Sequence, residues 1–268
     1  MYSPKKIERI VCLTEETTEF LYNIGADNLI VGITKYTKRP PQAAKEKKIV
    51  SRFIDSNIDA IIKLKPDLVL AWSDLQTDTA KELIKKGINV ICFNHRSINE
   101  ALSFMQQLGY LLGYKKETDA YLKKLVNHLE KYRQIGLKRK NKPKVYFEEW
   151  FDPLIVSIKW VSEIIELCGG INIFADKADA SLAKDRILEN DQRILDSNPD
   201  IILASWCGKP FRKKKMLKRE NWNNISAVIN DEIYEIESEI ILQPGPAALF
   251  DGVKIISTLF DNWEKNQK

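Results

Sequence analysis

The chain has 268 residues, 44% of them hydrophobic and 29% charged, with 42 basic against 37 acidic side chains and a formal net charge of +5. That length allows one large domain or two of ordinary size, and so mild a positive balance gives no ground for nucleic-acid binding. The longest uninterrupted apolar runs are a few residues, so no segment reads as a membrane span.

The start, Met1-Tyr2-Ser3-Pro4-Lys5-Lys6-Ile7, carries no apolar leader, which points to a cytoplasmic chain or to one whose leader has been removed. In chain order, 9–13 reads as a strand. A helix follows, with Thr14 and Thr17 as candidate caps, Phe20, Leu21 and Ile24 as its apolar face, and Gly25 as its stop. Strand 29–33 leads into a polar loop, 34–48, that contains Pro40-Pro41, and 49–53 is a short extended piece. A helix over 57–64 is capped near Asn57. Lys65-Pro66-Asp67 then opens the apolar run Leu68-Val69-Leu70-Ala71-Trp72. Proline cannot continue the helix, and such a run suits a parallel strand covered on both faces. Helix 78–86, closed by Gly87, and strand 88–93 complete an alternation that predicts a mainly parallel α/β sheet.

From Ser97 to Lys140 the strand signals stop. One helix carries Ala101, Leu102, Met105, Leu108, Leu111 and Leu112, and Gly113 breaks it. A second, from Lys116 to about Gly136, repeats apolar residues at three and four and is long enough to be a strut between lobes. The alternation restarts with strand 144–147, a helix over 161–168 ended by Gly169-Gly170, a helix over 191–196, strand 201–204, strand 232–236 and a closing helix over 247–263. Asn198-Pro199-Asp200 before Ile201-Ile202-Leu203-Ala204-Ser205-Trp206 repeats the first Pro-Asp element half a chain length later. The matched order predicts two similar lobes, 1–112 and 142–268, with 113–141 as the helical connection.

Ligands of open parallel sheets bind outside the C-terminal ends of the strands. Here those ends are aromatic: Tyr36, Phe53, Trp72, Trp150 with Phe151, Trp160 close by, and Trp206, with Trp222 in a later loop. Aromatic walls suit a large flat ligand. Catalytic signals are sparse. Glu148-Glu149 with Asp152 has no partner base at a telling spacing, and His128 reads as a solvated helix residue. His95 follows a strand and could face the ligand edge. No metal-ligand spacing occurs, and Cys12, Cys92, Cys168 and Cys207, scattered among apolar neighbours, read as buried free thiols. The segment 209–219 holds seven basic residues and reads either as a solvated loop or as a patch for anionic groups.

With these residues in place, the chain resembles the substrate-binding proteins of ABC importers for cobalamin, haem and ferric siderophores, and within them the cobalamin-binding branch. The resemblance rests on Thr17-Thr18-Glu19 with Gly25, Tyr36 with Pro40-Pro41, Asn57 to Ile61 before Lys65-Pro66-Asp67, Ala71-Trp72, and Leu167-Cys168-Gly169-Gly170-Ile171-Asn172-Ile173-Phe174. It implies two Rossmann-like lobes joined by one rigid helix, here about 116–137, with the ligand clasped between them. It further implies that Tyr36, Phe53 (where a Trp is usual) and Trp72 line a corrin site. Trp150, Trp206 and Trp222 are added from their places at or near strand ends. Permease docking through one acid per lobe would fall on Asp59 and, beside the off-pattern Gln192, on Asp191.

The expectation is a monomeric, non-enzymatic protein that captures a corrinoid or similar tetrapyrrole and delivers it to an ABC permease, without catalytic cofactor or metal. A cytoplasmic corrinoid or metal-chelate binder or sensor, and a ferric-siderophore or haem binder, are the alternatives. Catalysis through Glu148, Glu149 or His95 ranks last.

Overall fold

The first hundred residues alternate strand and helix as their apolar runs and proline and glycine stops dictate. In the computed structural model, which describes residues 5–52 and 55–267, this half contains β1 (Ile10–Cys12), α1 (Glu15–Asn23), β2 (Ile30–Thr34), α2 (Ala43–Glu46), β3 (Lys48–Arg52), β4 (Asp55–Ser56), α3 (Ile58–Lys63), β5 (Leu68–Trp72), α4 (Thr77–Lys85) and β6 (Val90–Phe93). The sheet order is β4-β3-β2-β1-β5-β6, and only β4 is antiparallel to its neighbour. β1 and β5, central in the sheet, are buried at every position, as their unbroken apolar sequences require. Asn57 caps α3 by accepting the Ala60 N–H at 2.9 Å.

Two helices follow, α5 (Ile98–Leu111) and α6 (Lys115–Leu137), with Gly113 at φ +83° in the turn. Their contact needs Gly109, because a Cβ there would lie 1.9 Å from Thr118 Oγ1. The second half contains β7 (Lys144–Trp150), β8 (Ile155–Val156), α7 (Lys159–Leu167), β9 (Ile171–Asn172), α8 (Gln192–Ser197), β10 (Ile201–Ala204), α9 (Lys213–Met216), α10 (Ser226–Ile229), β11 (Ile233–Glu235), α11 (Ser238–Ile241) and α12 (Val253–Asn266). β11, β10 and β7 run parallel. The other edge of β7 pairs with β9 at its start and with antiparallel β8 at its end.

The chain divides into a first unit, Met1–His95 with Asn99–Lys124, and a second, Arg96–Ile98 with Leu125–Lys268. The division falls inside α6, the single long helix that joins the two parallel-dominated sheets. The expected α/β class with two Rossmann-like sheets and a long joining helix is what the chain adopts.

The Pro-Asp element does the same work in both units. Asp67 N donates to Arg9 O at 2.8 Å, and its carboxylate accepts the Glu8 and Arg9 N–H groups at 3.0 Å. Asp200 N donates to Lys144 O at 2.8 Å, and its carboxylate accepts the Lys144 N–H at 2.7 Å. The basic residue at the start of the neighbouring strand then covers orphan carbonyls at the end of the preceding helix. Arg9 donates to Leu64 O at 2.7 and 2.9 Å, and Lys144 Nζ to Ser197 O at 3.2 Å. Proline stops the helix, and aspartate fastens the next strand to the one beside it.

Some expectations change. The closing helix begins with a π turn, Ala248–Gly252, ahead of α12. No disulfide joins the four cysteines; Cys92 and Cys207 are exposed, and Cys12 and Cys168 are buried. His128 is half-buried rather than solvated: its Nε2 lies 2.9 Å from Phe250 O and its ring packs on Tyr132 and Phe250. Among the described residues no helix is long and apolar enough to cross a membrane.

Candidate functional site

In the first unit the C-terminal ends of β1, β5 and β6 meet around a buried polar cluster. Trp72 ends β5, is 8% exposed, and donates its indole N–H to His95 O at 2.9 Å. The Gln76 side chain accepts the Trp72 N–H and donates to Leu13 O, which ties the end of β5 to the end of β1. The His95 ring stacks on Phe104 at 4.0 Å and meets Trp72 and Phe93 edge-on. His95 Nε2 lies 3.9 Å from Glu16 Oε1, and both side chains are buried. Burial pushes the Glu16 carboxyl up to about 8, against the lowering effect of the 2.5 Å hydrogen bond from Thr14 Oγ1. His95 is thus packed inside an aromatic cluster instead of standing on a loop surface. Tyr36 follows β2 and is 47% exposed. Phe53 lies outside the described residues.

The second unit gathers aromatic, acidic and basic side chains at the ends of β7 and β10. Glu148 is fully buried and accepts from Trp206 Nε1 at 2.9 Å, from Tyr146 Oη at 2.9 Å and from Arg219 Nη1 at 2.5 Å. Burial raises its carboxyl, while Arg219, Tyr146 and Trp206 pull it back. Arg219 also donates to Phe151 O at 2.9 Å and lies 4.3 and 4.5 Å from the Phe151 and Trp222 ring centres. Glu149 pairs with buried Arg186, whose guanidinium also donates to Val156 O and Ser157 O. Burial raises the Glu149 carboxyl and Arg186 lowers it.

Trp206, 6% exposed, is flanked by Phe151 and Phe211, each 5.1 Å away between ring centres. Half-buried Trp150 donates to Asp152 O at 2.8 Å, and Lys209 Nζ lies 4.6 Å over its ring. Lys215 Nζ lies 3.9 Å from the centre of Phe151. The basic segment 209–219 therefore folds onto the aromatic edge of this unit, and its helix α9 buries Met216. The arrangement offers ring faces beside cations. Its two inner carboxylates are both held by arginines. No group of three or more metal-ligating side chains occurs among the described residues.

Two expected site residues sit elsewhere. Trp222 is fully buried in the core with Tyr146, Phe174 and Met216, so it cannot face a ligand. The Asp191 carboxylate accepts the Trp222 indole N–H at 2.6 Å, which commits the expected docking acid to an internal bond. Trp160 lies in the core on α7 and donates to Ile241 O. Asp59 is exposed in the first turn of α3. Sequence reading missed the contacts of Glu16, Arg186, Phe211 and Arg219, and placed Phe151 only beside Trp150. Phe211 and Arg219 lie inside the basic segment, where aromatic interleaving was the available signal. A hollow lined by Lys6, Ile7, Pro66, Asp67, Gly87 and Asn89 lies before the starts of the strands and has no aromatic wall.

The family described as periplasmic binding protein matches residues 10–240. The vitamin B12-binding protein of Vibrio cholerae is 25% identical over 266 residues, covering 95% of this chain and 90% of that protein. The high-affinity heme uptake system protein IsdE of Staphylococcus aureus is 28% identical over 277 residues, covering 97% of this chain and 88% of that protein. Among solved structures, the periplasmic vitamin B12 binding protein BtuF of Vibrio cholerae matches with a TM-score of 0.78 at 24% identity, over 98% of this chain and 100% of that one, a likeness of fold. On a match that spans both sheets, this chain belongs to the periplasmic binding protein family.

Proposed function

We propose that this chain is a substrate-binding protein that captures a tetrapyrrole, a corrinoid of the cobalamin kind or haem, and delivers it to an ABC importer. The observation that carries the reading is the aromatic edge of the second unit: Phe151, Trp206 and Phe211 cluster where β7 and β10 end, and Trp150 ends β7. Aromatic rings have large flat faces and favour a broad flat partner. In the first unit Tyr36 and Trp72 stand at the corresponding edge. Two relatives named for vitamin B12 binding and heme uptake support the ligand class. Glu148 and Glu149, bound by Arg219 and Arg186, serve to fix the edge rather than to move protons. Exposed Asp59 is the acid offered to a permease.

Cobalamin, cobinamide and haemin are to be titrated in turn into the purified protein, followed by calorimetry and visible absorption. At least one is expected to bind at micromolar affinity or tighter and to shift its spectrum. No heat and no spectral change with all three would overturn the reading. Trp150→Ala is expected to weaken binding by about 1–3 kcal/mol through lost ring burial.

A further inference from the structure

The basic segment 209–219 has seven cationic side chains and no acid. Its start and end are fastened to the aromatic edge. Phe211 N donates to Glu235 Oε1 at 3.1 Å, and Arg219 is held by Glu148 and by Phe151 O. Within it, Lys213 pairs with Asp231 and Arg219 with Glu148. Lys209, Arg212, Lys214, Lys215 and Lys218 form no ion pair among the described residues. Two of these ammonium groups are nevertheless placed: Lys209 over Trp150 and Lys215 over Phe151, at 4.6 and 3.9 Å. A cation over a ring face is attracted to it and keeps its remaining donors pointing outward.

Among the described residues, none of the acids that touch the segment's aromatic edge pairs with Lys209 or Lys215. Glu148 and Glu149 are occupied by Arg219 and Arg186, and Glu235 takes a backbone N–H. The aromatic edge thus carries two ammonium groups, Lys209 and Lys215, that form no ion pair among the described residues. A macrocycle rimmed with neutral amides would gain only ordinary hydrogen bonds there and would strip water from the ammonium groups. A macrocycle rimmed with carboxylates would gain charge-assisted bonds, which are roughly twice as strong.

We infer, resting on the reading of a tetrapyrrole-binding protein, that the cargo is a flat metal chelate bearing peripheral carboxylates, and that Lys209 and Lys215 receive them. Porphyrin propionates and a corrinoid with free acid side chains share that chemistry, so the test pairs acid and amide forms of each ring. The probes are haemin and its bis-amide, and cobyrinic acid and cobinamide, titrated by calorimetry. The acid form is expected to bind at least about tenfold more tightly than the amide in the pair whose ring fits. The double variant Lys209→Gln/Lys215→Gln is expected to shrink that ratio below about threefold. Independently of any variant, about 0.5 M NaCl is expected to weaken the acid form and leave the amide form little changed. Amide forms binding as tightly as acid forms, or an acid preference that neither salt nor the double variant reduces, would overturn the inference while the tetrapyrrole reading stands. Failure of all four probes to bind would overturn that reading, and the inference with it.

Discussion

Glu16 is an acid in a place that favours its proton. The ordinary value for such a carboxyl is 4.5, and burial takes it to about 8 in the folded chain. Below about pH 4.5 folded and unfolded chains are both protonated, and the full contribution is present. As pH rises from there towards about 8, the unfolded chain releases the proton and the folded chain keeps it, so stability falls by up to about 1.4 kcal/mol per unit. Glu16→Gln removes that slope. Urea unfolding at about pH 5 and about pH 8 is expected to show the variant gaining on the wild type across the interval. Parallel losses in both proteins would contradict this origin for the shift. Little of it was legible beforehand. Glu16 reads as one more first-turn acid of a helix, because nothing local says that His95, itself stacked on Phe104, will lie 3.9 Å from it. The Glu148–Arg219 bond, 71 residues apart, is silent in the sequence for the same reason. Trp222 and Trp206 look alike as letters. One is sealed by Tyr146, Phe174 and Met216, and the other stands at the end of a strand.

Between elements, contacts depend on what is absent as much as on what is present. α5 and α6 touch where Gly109 faces Thr118. In an exposed helix, glycine to alanine stabilises by about 1 kcal/mol, through backbone entropy alone. Here the new Cβ would meet Thr118 Oγ1 at 1.9 Å, so the sign reverses. Gly109→Ala is expected to cost about 2 kcal/mol in denaturant unfolding, and adding Thr118→Ala to recover part of it. A stabilised single variant would show that the helices separate freely. At this scale the sequence is at its most readable. β5 and β10 are marked by a proline stop and an apolar run, and α6 by its spacing of three and four. β4, β8 and β9 have two residues each, too few for any period to show. The short helix α9 hides inside a run of lysines whose only anchor is Met216.

For the whole molecule, binding to the folded state alone raises its stability by mass action. A ligand at about a hundred times its dissociation constant adds about 2.7 kcal/mol. The best probe of the titration series is therefore expected to raise the melting temperature by several degrees, at about 2–4 °C per kcal/mol. A tight binder that leaves the melting temperature unmoved would be held by unfolded chain as well. The family and the two-sheet plan were both readable from short motifs in the right order. The bond between Asp191 and the Trp222 indole was not, since the two residues are 31 apart and nothing local joins them. The paired Pro-Asp clasps also bear on how the chain folds in time. The first joins residues 58 apart and the second residues 56 apart. Loop-closure entropy grows with the logarithm of length, so the two closures differ by only about 0.03 kcal/mol. Topology gives neither half a head start, and the order in which the sheets form is left to local side-chain chemistry.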